Sequence, residues 1–227
     1  MNRVNPWLDT VNYLIAWDFE GHNEYADWKA DLFSSLDGRW ARLFDNGEGI
    51  DWRHVSWGGV LIDDRPLGDT QPCVRGCIPA LDDPAVTDAD GGDWFPDDAT
   101  VFGVVIDGEA RAYPLNQMEV HEMVNDTLGG RRIAIPYCTL CGSAQAYFTD
   151  ELGDEFEQPV FRTSGFLIRS NKMMYELNTG SFVDTFVGNA TSGPLAEAGG
   201  PEVALPCLLY TSPSPRDATL SRMPSSA

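Results

Sequence analysis

An α+β fold, a mostly antiparallel β core with N-terminal helices and long loops, is predicted by three observations. Apolar residues recur at helical spacing before residue 45. A stretch rich in Gly, Pro and Asp follows to about residue 98, and from Val101 onward short apolar or alternating runs are punctuated by turn residues.

The helical spacing is carried by Trp7, Leu8, Val11, Tyr13 and Leu14, then by Trp28, Leu32, Leu36, Trp40 and Leu43, with polar breaks at Gly21-His22-Asn23 and Asp37-Gly38. Two or three amphipathic helices are expected there. Residues 45–98 read as irregular connections with one short strand within Val55 to Ile62. Val101 to Ile106 and Glu109 to Tyr113 flank Asp107-Gly108, a pair suited to a two-residue hairpin turn. Pro114 can open a helix through Leu115, Met118 and Met123, because proline lacks only a donor that would be orphaned at that position. Asn125 and Asp126 are placed at the end of that helix, either as cap and turn residues or as groups orienting a ligand. Arg132 to Tyr137 and Ala144 to Phe148 read as paired strands around a Cys turn, and Val160 to Thr163, Met173 to Leu177 and Ser181 to Val187 as further strands.

These elements divide the chain into an N-terminal helical extension over 1–48 and a β-rich domain over 49–206. Residues 207–227 look different. Cys207 to Asp217 and Ser221 to Ala227 can both be coded by a transposase-type sequencing-library adaptor, in the order in which such adaptors run. This tail is therefore expected to be a non-native segment, extended or poorly packed, with Cys207 unpaired and the natural domain interrupted near Pro206.

Composition bounds the partners. The formal charge is −20 and the hydrophobic content 43%. Such acidity repels phosphate and anionic headgroups, so nucleic acid is not an expected partner. Acidic, lysine-poor surfaces of this kind resemble those of halophilic proteins; the two lysines are Lys29 and Lys172. No run approaches the roughly 18 apolar residues of a membrane span, and the start lacks a secretory apolar region. Partners and compartment are otherwise open, an extracytoplasmic location included.

Chemistry concentrates in His121-Glu-Met-Val-Asn-Asp126 and Tyr137-Cys-Thr-Leu-Cys-Gly-Ser143. A Cys-x-x-Cys turn aims two sulfurs to one side, where thiolates can hold a soft metal, zinc or copper, with neutral His121 as third ligand, for metal binding or metal-dependent redox chemistry. The expected metal set is His121, Cys138 and Cys141, with Glu122, Asn125 and Asp126 behind it. Cys73 and Cys77 form a possible second pair. The same cysteines also suit a metal-free thiol–disulfide protein, or a noncatalytic binding module in which they only staple turns. No phosphate-binding loop, nucleophile elbow or His-Glu-x-x-His motif is present.

The stretches Gly76 to Pro84, Gly103 to Leu115, His121 to Asp126, Tyr137 to Ala144 and Thr163 to Tyr175 together resemble the domain-of-unknown-function family 3179 of bacteria and archaea, in family order. The resemblance implies kinship more than chemistry, since that family is defined by its lack of an established activity. The chain departs from the family pattern at Thr139, where proline is usual, and at Ser181-Phe-Val-Asp-Thr185.

Overall fold

Helix α1 (His22–Leu36) buries Tyr25, Lys29 and Phe33, one stripe at i, i+4 and i+8. Its lysine is accommodated because Nζ donates to the carbonyls of Trp52 and Val55. Asp37 then accepts from the Arg39 N–H and opens a 3₁₀ turn (Gly38–Trp40), leading into the short α2 (Ala41–Asp45). The computed structural model describes residues 22–73, 76–88, 90–92, 95–96, 98–152, 156, 158–198 and 210–212. The helix expected from Pro6 to Leu14 lies outside them.

These helices cover one face of a four-stranded antiparallel sheet ordered β1 (Val55–Trp57), β9 (Phe161–Ile168), β10 (Asn171–Glu176), β11 (Phe182–Asp184). Phe33, Trp40, Trp52, Trp57, Phe166 and Phe182 interlock there, mostly edge to face. Over its described part, the helical extension therefore shares a core with the sheet. Strand β9 runs past its expected end at Thr163 because Gly165 sits at φ 86°. A Cβ at that position would lie 2.5 Å from the Val60 carbonyl oxygen, so only glycine lets the Gly58–Leu61 segment pass so close.

The second sheet is ordered β2 (Leu81–Asp82), β5 (Met123–Leu128), β6 (Arg131–Cys138), β7 (Ser143–Ala144), with β8 (Tyr147–Phe148) also on β6. Only β2 and β5 are parallel among these pairs. The expected hairpin forms as β3 (Val101–Ile106) and β4 (Glu109–Pro114), with φ of 49° and 84° at Asp107 and Gly108. Helix α3 (Leu115–His121) follows, and a short α4 (Pro194–Glu197) packs Leu195 into the centre. Between the two larger sheets lie Met123, Ala134, Tyr147, Phe161, Met174 and Val183. The architecture is α+β with a β-rich core.

One expectation is corrected and a second is sharpened. The helix was to reach Met123, but Glu122 adopts a left-handed conformation (φ 54°) and stops α3 at His121. Asn125 and Asp126 are therefore buried strand residues of β5, not cap or turn residues. The tail was expected to be extended or poorly packed; its described part, β12 (Tyr210–Ser212), is extended but docked, pairing antiparallel with β3 from Val101 to Gly103. The outer edge of β3 presents unpaired N–H and C=O groups, which accept an extended segment whatever its side chains. Cys207, Leu208 and Leu209 lie outside the described residues.

The acidic balance carries a measurable consequence. At a net charge of −20 the folded state works against its own repulsion. Raising NaCl from about 0.01 M to about 0.3 M contracts the screening length from ~30 Å to below ~10 Å. We expect the melting temperature to rise by about 2–4 °C, equivalent to about 1 kcal/mol for a chain of this size. A flat or falling melting temperature across that series would show that exposed ion pairs, weakened by salt, outweigh the repulsion.

Candidate functional site

Strand β6 ends at Cys138, the chain turns through Thr139, Leu140 and Cys141, and β7 returns with Cys138 opposite Ser143. The turn brings the two sulfurs together, and they form a disulfide. Their exposures differ. Cys138 is 3% exposed at the end of β6, whereas Cys141 lies on the surface beside Leu140, itself 72% exposed. The β9–β10 turn packs against this loop: Cys141 Sγ lies 2.9 Å from the Ser170 carbonyl oxygen, and Ser143 Oγ donates to Asn171 Oδ1 at 3.0 Å.

Under the loop sits a buried ion pair. Lys172, 2% exposed, projects from β10. Its Nζ donates to Glu122 Oε2 at 3.0 Å, to the Glu122 carbonyl at 3.0 Å and to Thr163 Oγ1 at 2.8 Å, one partner for each hydrogen. The other Glu122 oxygen accepts from the Thr139 hydroxyl, so the pair is tied into the Cys-x-x-Cys turn. Burial holds the Lys172 ammonium below its ordinary range, against the pull of Glu122 and the more distant Asp63.

A second polar centre lies across β9. Arg162 is fully buried and grips Asp82 through both nitrogens, at 2.7 and 2.6 Å. Asn125 Nδ2 donates to the same carboxylate at 2.9 Å, while its Oδ1 accepts from the Phe161 N–H. Burial works against the Asp82 charge, yet Arg162, the Gly68 N–H and Asn125 together keep its pKa below the usual carboxylate value. Asp63, also fully buried, accepts from Arg65 Nε at 2.7 Å and from the Ala80 N–H at 2.9 Å. Beside it Cys73 and Cys77 form the second disulfide. The ligand atoms of Asp63, Cys73 and Cys77 all lie within 4.8 Å of one another.

His121, Cys138 and Cys141 were expected to converge as one ligand set. Among the described residues they do not form such a cluster; Asp63, Cys73 and Cys77 do. The His121 Nδ1 is instead 2.7 Å from the Pro79 carbonyl oxygen, an alignment in which Nδ1–H donates. The early stop of α3 explains this, because the chain leaves for β5 one residue after His121. Glu122 does stand beside the Cys turn, as partner of Lys172 rather than of an imidazole. Asp126 has moved to another neighbourhood, where it accepts from Arg111 at 2.6 Å and Tyr113 at 2.8 Å.

Lys172, Asp63, Arg162 and Asp82 escaped the sequence reading. A signal existed for Lys172, one of two lysines in the chain and set in the apolar run Met173-Met174-Tyr175. A charge inside such a strand must find a buried partner.

Searches of curated proteins and of solved structures return no match to this chain. A family model described as "Protein of unknown function (DUF3179)" matches residues 75–202, which span β2 to α4, both the Cys138–Cys141 turn and the buried lysine included. With more than half of its 227 residues inside that match, the chain belongs to the DUF3179 family.

Proposed function

We propose that the domain performs thiol–disulfide exchange at Cys138–Cys141. The observation that carries this reading is the asymmetry of the pair: one cysteine exposed on a turn, its partner buried at the end of β6. Such a pair offers an accessible atom to an incoming thiolate and a shielded leaving group. A stapling role is a weaker account, because this bridge closes a sequence separation of only 3. Loops that short contribute about 2 kcal/mol in the chain-entropy model, against about 4.7 for a 100-residue loop.

The exchange balances as follows. A substrate thiolate attacks Cys141 Sγ, the Cys138–Cys141 bond breaks, and Cys138 departs as thiolate. A second thiolate of the same substrate attacks the substrate sulfur of the mixed disulfide and releases Cys141. The substrate dithiol loses two electrons and becomes a disulfide; the protein pair gains them. Glu122 and Lys172 act as positioning residues through Thr139, and Leu140 offers apolar contact to a polypeptide substrate.

Single-cysteine reactivity tests the assignment in a Cys207→Ser background. The Cys138→Ser chain should react with dithionitrobenzoate at least about tenfold faster than Cys141→Ser, since only the former leaves the exposed thiol. Cys138→Ser should also attack glutathione disulfide through its Cys141 thiolate, releasing one glutathione and keeping the other as a stable mixed disulfide visible by mass. Equal, slow reactivity of the two variants, or survival of the Cys138–Cys141 bond under excess dithiol in folded protein, would refute the proposal.

A further inference from the structure

We infer that Asp63, Cys73 and Cys77 form a second, redox-gated site that takes a zinc ion once the Cys73–Cys77 disulfide is reduced. This lies outside the exchange chemistry proposed for Cys138–Cys141. The three ligand atoms already stand within 4.8 Å of one another. Asp63 is held through both its backbone and its carboxylate. Its N–H donates to the Thr163 carbonyl at 3.0 Å, its carbonyl accepts from the Tyr175 hydroxyl at 2.6 Å, and its carboxylate is held by Arg65 and by the Ala80 N–H. The cysteine turn is fixed against it by the Leu61–Cys77 bridge and by the Leu61 N–H donating to Gly76.

The donor set selects the ion. Two thiolates and one carboxylate oxygen suit zinc, whereas copper(I) favours sulfur alone. Charge selects it too, because two thiolates and a carboxylate beside the Arg65 guanidinium reach neutrality with a divalent cation. Arg65, bonded to both Asp63 oxygens, plays the part of the outer partner that orients a ligating carboxylate. Water completes a tetrahedral shell. The gate is stoichiometric: a dithiol reductant donates two electrons and two protons to the disulfide and leaves as its own disulfide, and zinc then displaces the two thiol protons. Exchange with a small-molecule disulfide, which takes the two electrons and leaves as two thiols, rejoins the sulfurs and expels the ion.

The test uses the full chain with Cys138, Cys141 and Cys207 replaced by serine, so that only this pair can respond. After anaerobic reduction, loading with zinc and gel filtration, we expect about one zinc per chain, and at least about tenfold less in the oxidised sample. Cobalt in place of zinc should give thiolate charge-transfer absorption. Folded Cys73→Ser, at a half-buried position, should abolish both signals, and folded Asp63→Asn should weaken retention at least about tenfold. Zinc retention unchanged in Cys73→Ser, or no retention by the reduced parent, would overturn the site. Full retention by folded Asp63→Asn would overturn the three-ligand assignment.

Discussion

Replacing Lys172 with methionine is expected to destabilise the protein by about 3–5 kcal/mol. The side chain is nearly isosteric in its aliphatic part, so packing against β9 is largely kept, and the loss is electrostatic. Glu122 would keep a buried carboxylate with only the Thr139 hydroxyl as partner, while its carbonyl and Thr163 Oγ1 each lose a donor. Domains of ordinary stability hold about 5–15 kcal/mol in total, so the variant should be largely unfolded at moderate urea. Glu122→Gln added to Lys172→Met removes the stranded charge and should recover a substantial part of the loss. That double-variant cycle separates the ion pair from packing. Urea unfolding of the four proteins measures it. A loss below about 1 kcal/mol for Lys172→Met would mean that Glu122 finds solvent without the lysine.

Arg162→Met should produce a loss of similar size, about 3–5 kcal/mol, for a different geometric reason. Arg162 joins β9 to two segments that are distant in sequence: it grips Asp82, and in the 63–66 stretch it donates to the carbonyls of Arg65 and Pro66 and approaches Asp63 at 3.9 Å. Arg162→Lys should rescue little, since an ammonium cannot reproduce the two-pronged contact with Asp82. The acid limb supplies a second readout. Asp82 has a folded pKa below its unfolded value, so its contribution is fully present above the ordinary carboxylate range and is lost as pH falls through the folded value. In Arg162→Met that advantage disappears, and stability should fall less steeply with acid than in the parent. An unchanged acid slope would show that Gly68 and Asn125 alone hold the Asp82 charge.

Local patterns were legible where the sequence signal and the final environment agree. Asp107-Gly108 specifies its hairpin because both positions need positive φ, and these residues tolerate it. The strand at Met123–Leu128 was missed because Leu115, Met118 and Met123 keep helical spacing across Glu122, where the chain in fact reverses. Strand β9 was cut short at Thr163 because Ser164-Gly165 reads as a break; its glycine is there for the approach of Val60. The parallel pairing of Leu81–Asp82 with β5 rests on two residues and left no periodic trace.

By itself the sequence determined the α+β class, the strand-rich second part, the kinship to the family, and the grouping of Cys73 with Cys77 and of Cys138 with Cys141. Separations of 4 and 3 place each pair in one turn whatever the rest of the chain does. Tertiary structure decided what surrounds those pairs. Lys172 meets Glu122 across 50 positions, Arg162 meets Asp82 across 80, and Asp63 reaches Cys77 from another loop. Local periodicity reports which face of an element is buried, but not which buried charge lies opposite. That choice is made when the two sheets close, since each desolvated charge must then have found its counter-charge.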